Sequence, residues 1–396
     1  MILQALLLLL ALAALPPLAA SLYLLVLTLL SRKPAEPPPA AQPLRFDLIV
    51  PAHDEEAGIG ATVASLLALD HPREQFRVVV VADNCSDATA ARAQEAGAQV
   101  LVRNDTSLRG KGYALALAFA RSLEGDADAV VVVDADTLVS ANLLRAFASR
   151  LAQGAQAVQA DYGVRNAMAS WRTRLILLAF TLFHVVRSRG RARLGVSCGL
   201  RGNGMCFSRA LLQAVPYDSF SLVEDVEYGL RLGERGIRVE YADEAHVYGE
   251  MVSGGAAARS QRQRWEGGRR ALARERALPL LREGLLRRSP LLVDLALDLI
   301  IPPLAQLTLW LLAGALLSGL LAALAHRIPT SLWLFCAGLG SVAVYIVRGL
   351  TLSGAGLRGL LDLAFAPLYI VWKLFVSVRG AAHRGWVRTA RESGPP

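Results

Sequence analysis

Three groups of residues in this chain have types and spacing suited to chemistry. An Asp134-Ala135-Asp136 motif follows the apolar run Val130–Val133, and Glu224 and Asp225 stand together where a helix is expected to begin. The basic motif Gln261-Arg262-Gln263-Arg264-Trp265 comes after them. Carboxylates can hold a divalent cation or accept a proton, and arginine can bind a diphosphate. Residues of these types in this order are what the transfer of a sugar from a nucleotide requires.

The paired aspartates after the apolar run indicate a metal site. Asp134 and Asp136 can hold Mg²⁺ or Mn²⁺ against a diphosphate, and the metal neutralises the charge that develops on the departing nucleotide. The alternative is a solvated turn that contains two aspartates by chance.

Two further polar positions suit a nucleotide. Asp83-Asn84 closes the second predicted strand, and a carboxylate there can accept a hydrogen bond from the imide N–H of uracil; the alternative is a turn or a helix N-cap. Lys111, in the basic loop Arg109-Gly110-Lys111-Gly112, can contact the base or the phosphates. Basic glycine turns are common, however, so this loop alone is a weak signal.

The last two motifs suit the acceptor side of the reaction. Asp225 is the candidate general base, because a carboxylate can take the proton of a sugar hydroxyl as that hydroxyl attacks; the alternative is helix capping. Gln261 and Trp265 lie one helical turn apart, with Arg264 beside them. Arg264 can bind the diphosphate and Trp265 can stack on a sugar ring. The alternative is a basic amphipathic helix on lipid headgroups.

Alternating strands and helices are expected to position these residues. Over residues 45–160 the strands are predicted at 46–50, 76–82, 98–102 and 129–133, and the helices at 59–69, 88–96 and 113–122. Val-rich strands alternating with helices predict an α/β fold with a mainly parallel sheet covered on both faces. Ligands of such sheets bind beyond the carboxyl ends of the strands, where three of these strands end in acidic loops.

Residues 161–275 are less regular. Helices are expected at 171–193, 222–235 and 259–276, and a glycine-rich turn region at 199–208.

The ends of the chain predict a membrane protein. Residues 1–30 carry no charged side chain and are long enough to span a bilayer, whereas a cleaved signal peptide is the alternative. The C-terminal segments 304–325 and 331–347 are further candidate spans. The segment 290–301 is expected to be interfacial because it holds Asp294 and Asp298, and 360–378 is expected to be interfacial, re-entrant or a fourth span.

The domains expected from this layout are a span at 1–30, a Pro-rich linker at 31–44, a catalytic domain at 45–275, a membrane region at 290–378 and a basic tail at 379–396. Arg32 and Lys33 after the first span place the catalytic domain and the tail in the cytoplasm, at the cell (inner) membrane.

Composition agrees with this assignment. The chain of 396 residues is 54% hydrophobic and has a formal net charge of +9. The basic clusters flank the apolar segments, so we expect membrane lipids rather than nucleic acid as the partner. The four cysteines show no metal-ligand spacing and suggest no disulfide framework.

Taken together, the motifs occur in an order that resembles a known family. They are Pro51-Ala52-His53-Asp54-Glu55-Glu56, Asp83, Lys111-Gly112, Asp134-Ala135-Asp136, Gly202-Asn203-Gly204, Glu224-Asp225 and Gln261-Arg262-Gln263-Arg264-Trp265. This set resembles the family 2 glycosyltransferases of GT-A fold, in the membrane-embedded branch of cellulose, chitin, hyaluronan and poly-N-acetylglucosamine synthases. The expected fold is therefore a Rossmann-like GT-A domain with N- and C-terminal transmembrane and interfacial helices.

The resemblance implies a role for each matching residue. Asp225, with its neighbour Glu224, is implied as catalytic, and Asp136 as the ligand of Mg²⁺ or Mn²⁺. The implied contacts to the nucleotide sugar are Glu55, Asp83, Lys111, Asp134, Gln261 and Arg264. The implied contacts to the acceptor are Gly202, Asn203, Gly204 and Trp265. The tail motif at 386–391 is similar to a gating loop, and Ala82 stands where the family often has a second aspartate.

The resemblance implies an inverting transfer from a UDP-sugar, with a β-linked extracellular polysaccharide as the favoured product. The alternative is transfer of one sugar to a lipid, as in ceramide glucosyltransferases, because two or three C-terminal spans form a narrow channel without an export partner or a second copy. A third possibility is a non-catalytic scaffold with a decayed transferase domain.

Overall fold

The structure is a computed structural model that describes residues 2–251 and 255–365, with the backbone alone over 255–265. The sequence expectations for the segment after residue 365, which include the gating-loop motif and the basic tail, lie outside the described residues. The domain boundaries stay predictions.

An eight-stranded mixed sheet forms the centre of the molecule. Its strands are β1 (Phe46–Ala52), β2 (Phe76–Asp83), β3 (Gln99–Arg103), β4 (Ala129–Val132), β5 (Thr137–Val139), β6 (Ala157–Val164), β7 (Met205–Ser208) and β8 (Val239–Gly249). They lie in the order β3-β2-β1-β4-β7-β6-β8-β5. The first four strands in that order are parallel, and β7 is antiparallel to both β4 and β6. The predicted parallel half is therefore confirmed, and an antiparallel element extends it.

Helices cover both faces of the sheet and continue into an apolar bundle. They are α1 (Ile2–Leu29), α2 (Ile59–Leu67), α3 (Thr89–Glu95), α4 (Lys111–Leu123), α5 (Leu143–Leu151), α6 (Trp171–Phe180), α7 (Arg187–Leu194), α8 (Arg209–Ala214), α9 (Glu224–Glu234), α10 (Gly255–Leu286), α11 (Pro290–Ile300), α12 (Leu304–Ala325), α13 (Thr330–Ser353) and α14 (Gly356–Asp362). A π-helical turn, Thr181–Val186, joins α6 to α7. Alternate residues of β1 face two separate cores: Leu48 and Val50 belong to one, Ile49 to the other.

One sequence expectation is corrected. The glycine-rich region 199–208 was expected to be a turn throughout, but its second half is the strand β7. Met205, Cys206 and Phe207 are fully buried, and they pair with β4 and β6 on either side. The glycines end at Gly204, so only 199–204 remains a loop, which we call the acceptor loop after the role that the resemblance implies for it.

Within the part of the chain that the structure describes, three helices are long and apolar enough to cross a membrane: α1 over Leu3–Leu29, α12 over Leu304–Leu324 and α13 over Thr330–Ser353. They are the three spans expected from the sequence, and they pack against one another around a shared apolar core. The space beside Gly314 is filled by the ring of Phe335, and that beside Gly338 by Leu311. The contact between these spans is therefore close.

The segment between the catalytic domain and the second span is a short helix, α11, as expected. At 11 residues it is too short to cross a bilayer. Asp294 and Asp298, which led to the interfacial assignment, are both buried in the structure rather than exposed at a lipid surface. They pair with arginines of α7, which compensates their charge.

The crossing of α7 over α1 yields a prediction about stability. At Gly190, an added Cβ would lie 2.6 Å from the carbonyl oxygen of Leu27 and 2.8 Å from its Cα. Gly190→Ala is therefore expected to lower the free energy of unfolding by about 1–3 kcal/mol, since the two helices must separate. The measurement is the melting temperature of the purified chain in detergent.

The control is Gly60→Ala in α2, where an added Cβ would meet nothing within 4 Å. There the change is expected to be neutral or to stabilise by up to about 1 kcal/mol, because alanine favours the helix. Equal melting temperatures of the two variants would contradict the close crossing of α1 and α7.

Candidate active site

The acidic loops predicted from the sequence meet at one edge of the sheet. Strands β2, β1 and β4 are adjacent and parallel, so Asp83, the loop after Ala52 and Asp134 follow strand ends that point the same way. This arrangement is the usual ligand-binding edge of an α/β sheet. Glu55 lies in the middle loop, where its backbone N–H donates to the Thr89 hydroxyl at 2.7 Å.

Lys111 connects three parts of this edge. Its ammonium group lies 2.5 Å from Asp134 Oδ1, 2.5 Å from the carbonyl oxygen of Gly202 and 4.0 Å from Glu224 Oε1. Burial lowers the pKa of Lys111, but the carboxylates of Asp134 and Glu224 outweigh that effect and the pKa is raised. Lys111 therefore stays charged and ties the paired aspartates to the acceptor loop and to α9.

Lys111 can reach this position because Gly112 follows it. An added Cβ at Gly112 would collide with the carbonyl oxygen of Ser219, so only glycine lets the start of α4 approach the segment before α9. The ring of Tyr113 stacks on Phe220 at 4.3 Å between centroids and strengthens the same contact.

Asn203 fixes the acceptor loop to the paired aspartates. Its side-chain oxygen accepts from the backbone N–H of Asp134 at 3.1 Å, and its amide donates to the Thr137 hydroxyl at 2.8 Å. That hydroxyl in turn lies 3.3 Å from Asp136 Oδ1. Asn203 is fully buried, so these bonds form away from solvent and hold both aspartates in place.

The neighbouring glycines are required by conformation and space. Gly202 and Gly204 have φ values of +77° and +68°, in the left-handed region that side chains rarely adopt. The carboxylate of Asp225 lies close to Gly202, since an added Cβ there would be 3.4 Å from Asp225 Oδ2. The glycine at 202 thus leaves the Asp225 carboxylate open toward the loop.

Glu224 and Asp225 occupy the first turn of α9 but differ in exposure. Glu224 is buried, whereas Asp225 is partly exposed. Burial raises the pKa of Glu224 to about 7, and the charge of Asp225 adds to the rise while Lys111 opposes it. Burial also raises the pKa of Asp225, against the opposing effects of the Val226 backbone N–H, Lys111 and Arg201. Asp225 is the carboxylate of the pair that a substrate can reach, and its raised pKa favours proton uptake.

Asp83 is held by a partner that the sequence analysis missed. Arg103 Nη1 donates to Asp83 Oδ1 at 2.7 Å, and Asn84 Nδ2 donates to the same oxygen at 2.9 Å. Asp83 and Arg103 are paired residues at the ends of β2 and β3, so the strand register was the signal that could have revealed this contact.

The third motif lies on α10. The backbone at Gln261, Arg264 and Trp265 is helical, as expected, but their side chains lie outside the described part of the structure. One turn further on, an added Cβ at Gly268 would be 2.9 Å from Val223, the residue before α9. The helix thus passes close to the Glu224-Asp225 pair, and the roles expected for the three residues stay predictions.

Comparison with known proteins agrees with this geometry. The model of the family described as "Glycosyltransferase like family 2" matches residues 43–268, more than half of the chain and all of the motifs placed above. The chain belongs to glycosyltransferase family 2.

Individual relatives of the transferase are distant. It is 25% identical over 233 residues to "Probable glycosyltransferase YdaM" of Bacillus subtilis, covering 57% of this chain and 55% of that protein. It is 30% identical over 266 residues to a "Beta-monoglucosyldiacylglycerol synthase" of Synechocystis, covering 63% of this chain and 55% of that protein. The transferase thus matches about half the length of these curated relatives.

A solved structure shares the fold. The mannosyltransferase PcManGT of Pyrobaculum calidifontis, in complex with GDP-Man and Mn²⁺, superposes with a TM-score of 0.55 at 20% identity. The match covers 88% of this transferase and 99% of that chain. It shows that the GT-A fold expected from the sequence is correct.

The donor set at the paired aspartates fits a hard divalent cation. Asp134 and Asp136 offer carboxylate oxygens, the ligands that Mg²⁺ and Mn²⁺ prefer. Asp134 keeps 31% of its side chain exposed, so a metal ion can reach its carboxylate. Lys111 supplies a second positive charge beside Asp134, and a diphosphate can contact both the metal and this ammonium group. These residues of the transferase can therefore hold such a metal.

A second acidic group is less suitable for a metal. Among the described residues, ligand atoms of Asp54, Cys85 and Asp87 converge. Burial raises the pKa of the Cys85 thiol, so it stays protonated and is a poor ligand for Mg²⁺ or Mn²⁺. The carboxylates accept backbone N–H groups, Asp54 from Ser86 at 2.6 Å and Asp87 from Thr89 at 2.9 Å. The group therefore serves to shape the loop.

The pKa of Glu224 leads to a prediction about pH. The folded protein binds this proton more tightly than the unfolded chain, whose glutamate has a pKa near 4.5. The stabilisation is therefore complete below about pH 4.5 and is lost as the pH rises to about 7. Relative to Glu224→Gln, the wild type should lose on the order of 1 kcal/mol per pH unit over that window.

The measurement is the melting temperature of both proteins from pH 4.5 to pH 8, with the exposed Glu95→Gln as the matched control. Parallel curves for wild type and Glu224→Gln would show that Glu224 titrates normally and would contradict the prediction.

Proposed function

We propose that the transferase moves a single hexose or N-acetylhexosamine from a UDP-sugar to a membrane lipid, with inversion at the anomeric carbon. The observation that carries this proposal is the position of the acceptor loop. Leu200 and Arg201, next to Gly202, line a cleft together with Leu295 and Leu299 of the interfacial helix α11. An acceptor that reaches the Asp225 carboxylate through this cleft comes from the membrane side.

The arrangement of the spans also favours a lipid over a polymer. The second and third described spans interlock through Gly314 and Gly338, where Phe335 and Leu311 fill the space between the helices, and Ser21 of the first span lies beside Gly338. Relatives named as synthases of monoglucosyldiacylglycerol add support from sequence. A lipid acceptor needs no conduit, because its headgroup enters from the bilayer surface.

Each residue then has a defined task. Asp225 accepts the proton of the acceptor hydroxyl as the oxygen of that hydroxyl bonds to the anomeric carbon and the diphosphate leaves. Lys111 holds Asp134 and the acceptor loop in position relative to each other. Asp83, oriented by Arg103, accepts a hydrogen bond from the imide N–H of the base. Asp136 and Asp134 are the residues that would hold Mg²⁺ or Mn²⁺, which neutralises charge on the leaving diphosphate. Arg264 and Gln261 are proposed for the diphosphate and Trp265 for the acceptor.

The same proposal places the protein in the inner membrane with its catalytic domain in the cytoplasm, because Arg32 and Lys33 follow the first span. UDP-sugars are then supplied on the side where the acidic edge of the sheet lies.

The second candidate function is synthesis of an extracellular polysaccharide. It is favoured by the Gln261-to-Trp265 motif on α10, which resembles that of processive synthases. An export partner or a second copy of the chain would then have to supply the conduit.

A product assay separates the two functions. Purified full-length protein in lipid vesicles would receive Mg²⁺ or Mn²⁺ and a panel of radiolabelled UDP-sugars, with Asp225→Asn as the inactive control. We expect label in an organic-extractable lipid and none in the control. Label in high-molecular-weight material that a glycosidase digests would contradict the lipid proposal and support the polymer.

A further inference from the structure

A cleft between the catalytic domain and the interfacial helix has a cationic wall with no assigned role. One side of the cleft is apolar, formed by Leu200, Leu230 and Leu295. The charged residues that line the cleft are Arg201, Arg269 and Asp298, so two arginines and one aspartate border it. Both arginines keep part of their side chains exposed, so a ligand entering the cleft can reach them.

Arg201 and Arg269 belong to a group of four arginines, which we call the arginine cluster. The other two members, Arg187 and Arg191, lie behind them. Three of the four lie around one ring, that of Phe183 in the π-helical turn. The guanidinium carbons of Arg187, Arg201 and Arg269 are 5.0, 4.1 and 5.4 Å from its centroid. An aromatic face stabilises a cation only modestly, so these contacts do not neutralise the cluster.

The carboxylates in contact with the cluster are too few to balance it. Asp298 is shared by Arg191 at 2.7 Å, Arg269 at 2.8 Å and Arg187 at 3.2 Å. Burial raises the pKa of Asp298, but these three arginines outweigh it and the pKa lies well below its usual range. Asp294 is the second carboxylate, 3.2 Å from Arg191. Among the described residues, the four guanidinium groups thus have two carboxylates in direct contact, and the Asp225 carboxylate acts on Arg201 from farther away.

Donor atoms in the cluster also lack partners. Within the described residues, Arg191 Nη1 and Arg201 Nε are buried without a hydrogen-bond acceptor. Arg191 has no exposed surface, and burial lowers the pKa of Arg201 to about 10. A buried donor without an acceptor is costly, so an anion that accepts from Arg201 would stabilise the folded protein.

The position of the cluster indicates where the anion comes from. Arg191 contacts the Tyr23 hydroxyl of the first span at 3.0 Å, and Arg187 contacts the Tyr345 hydroxyl of the third span at 3.2 Å. The helix α11, which supplies both carboxylates, ends just before the second span begins. A ligand in the cleft therefore lies next to the membrane surface, with an apolar wall on one side for the start of an acyl chain.

We propose that this cleft binds the phosphate of an anionic membrane lipid, with Arg201 and Arg269 as its direct contacts. Arginine forks match phosphate oxygens well, and basic pockets beside membrane spans suit lipid headgroups. The phosphate of the bound lipid offsets the excess positive charge of the arginine cluster behind the acceptor loop. The cleft is the one through which the acceptor is proposed to enter, so this inference rests on the proposed function for its location. Its test measures binding rather than transfer, so the two proposals can fail separately.

The test uses the full-length protein in neutral detergent. Short-chain phosphatidylglycerol, short-chain phosphatidylcholine, inorganic phosphate and UDP are titrated separately, and the melting temperature reports binding, because a ligand of the folded state raises it. Phosphatidylglycerol should raise the melting temperature well above the effect of phosphatidylcholine. Inorganic phosphate should compete with it more weakly, since phosphate lacks the acyl chain.

The variants are Arg201→Gln, Arg269→Gln and Arg269→Lys, with Arg276→Gln as the matched control on the same helix. Arg276 pairs with Glu234 outside the cleft. The two glutamine variants at the cleft should weaken the binding of phosphatidylglycerol by roughly 10-fold or more. Arg269→Lys should weaken it by less, and the control should leave it unchanged. If Arg269→Gln does not fold, Arg201→Gln carries the test, because the Arg201 guanidinium donates to the carbonyl of Cys198 at 2.8 Å and lies over the Phe183 ring, whereas Arg269 pairs with Asp298.

Three outcomes would overturn the proposal. Equal effects of the two lipids would show that the headgroup charge is not recognised. Equal losses in Arg201→Gln and Arg276→Gln would show that the cleft is not the site. Displacement of phosphatidylglycerol by UDP at comparable concentrations would assign the cleft to the nucleotide.

Discussion

Asp225→Asn is expected to reduce the rate of sugar transfer by about 10²- to 10⁴-fold while the protein folds normally. Asparagine keeps the shape of the side chain but cannot accept the proton of the acceptor hydroxyl. The carboxylate lies in the first turn of α9, beside Gly202 and partly exposed, so its replacement leaves the buried Glu224 and its contact with Lys111 in place. The effect should fall on kcat, with little change in the KM for the donor.

The measurement is steady-state transfer to the acceptor identified in the product assay, with UDP release as a second readout. The matched control is Glu227→Gln in the same helical turn, whose carboxylate accepts the Ser221 backbone N–H at 3.2 Å. Near-normal kcat in Asp225→Asn would remove this residue from the role of base.

Asp298→Asn is expected to destabilise the protein by about 3–5 kcal/mol, because it removes the carboxylate that Arg187, Arg191 and Arg269 share. The side chains of Arg187, Arg191 and Asp298 are 6%, 0% and 10% exposed, so solvent cannot replace the lost charge. The melting temperature in detergent should fall by on the order of 10 °C.

The comparison for this variant is Asp70→Asn, which breaks the ion pair with Arg145. Those side chains are 62% and 57% exposed, so the loss should stay within about 1 kcal/mol. A similar fall in both variants would mean that the buried charges contribute no more than surface ones.

The parallel half of the sheet was predictable from the sequence because its strands are continuous runs of valine and other apolar residues. The strand β8 was not, because it carries Asp243, Glu244 and His246 in a largely buried element. Their charges are compensated by distant partners: Arg189 lies 2.6 Å from Asp243, and Arg150 lies 2.5 Å from Glu244. Such pairing depends on tertiary structure and leaves no local periodicity.

The individual residues of the candidate site were predictable from the sequence, whereas the hydrogen bonds that connect them were not. The structure brings together Lys111, Asp134, the acceptor loop and the Glu224-Asp225 pair, which were each expected from their own motif. The connecting residues were missed because they are single polar residues in otherwise apolar strands. Gln159, for example, is 1% exposed, donates to the carbonyl of Asn203 at 2.7 Å and accepts from the Arg201 N–H at 2.9 Å.

The environment of the two aspartates of α11 also differs from the one expected from the sequence. Asp294 and Asp298 indicated an interfacial helix, which agrees with its length, but the reason given by the sequence was exposure to the lipid surface. In the structure their charges are buried and met by arginines of α7, which lies about 100 residues earlier in the chain. The sequence alone indicates the free-energy cost of burying each carboxylate but does not identify the arginine that pairs with it.

The first span is fastened to the rest of the protein at several points. Arg348 of the third span donates to the hydroxyl and carbonyl of Ser31 at 2.9 and 3.0 Å, and Leu27 seats against Gly190. A fragment that starts after Ser31 would keep the two later spans but would expose the surface of α7 at Gly190 and remove the contact of Arg191 with Tyr23. One face of the first span is thus part of the packed structure, and an unrelated apolar helix in its place would cross the membrane without restoring these contacts.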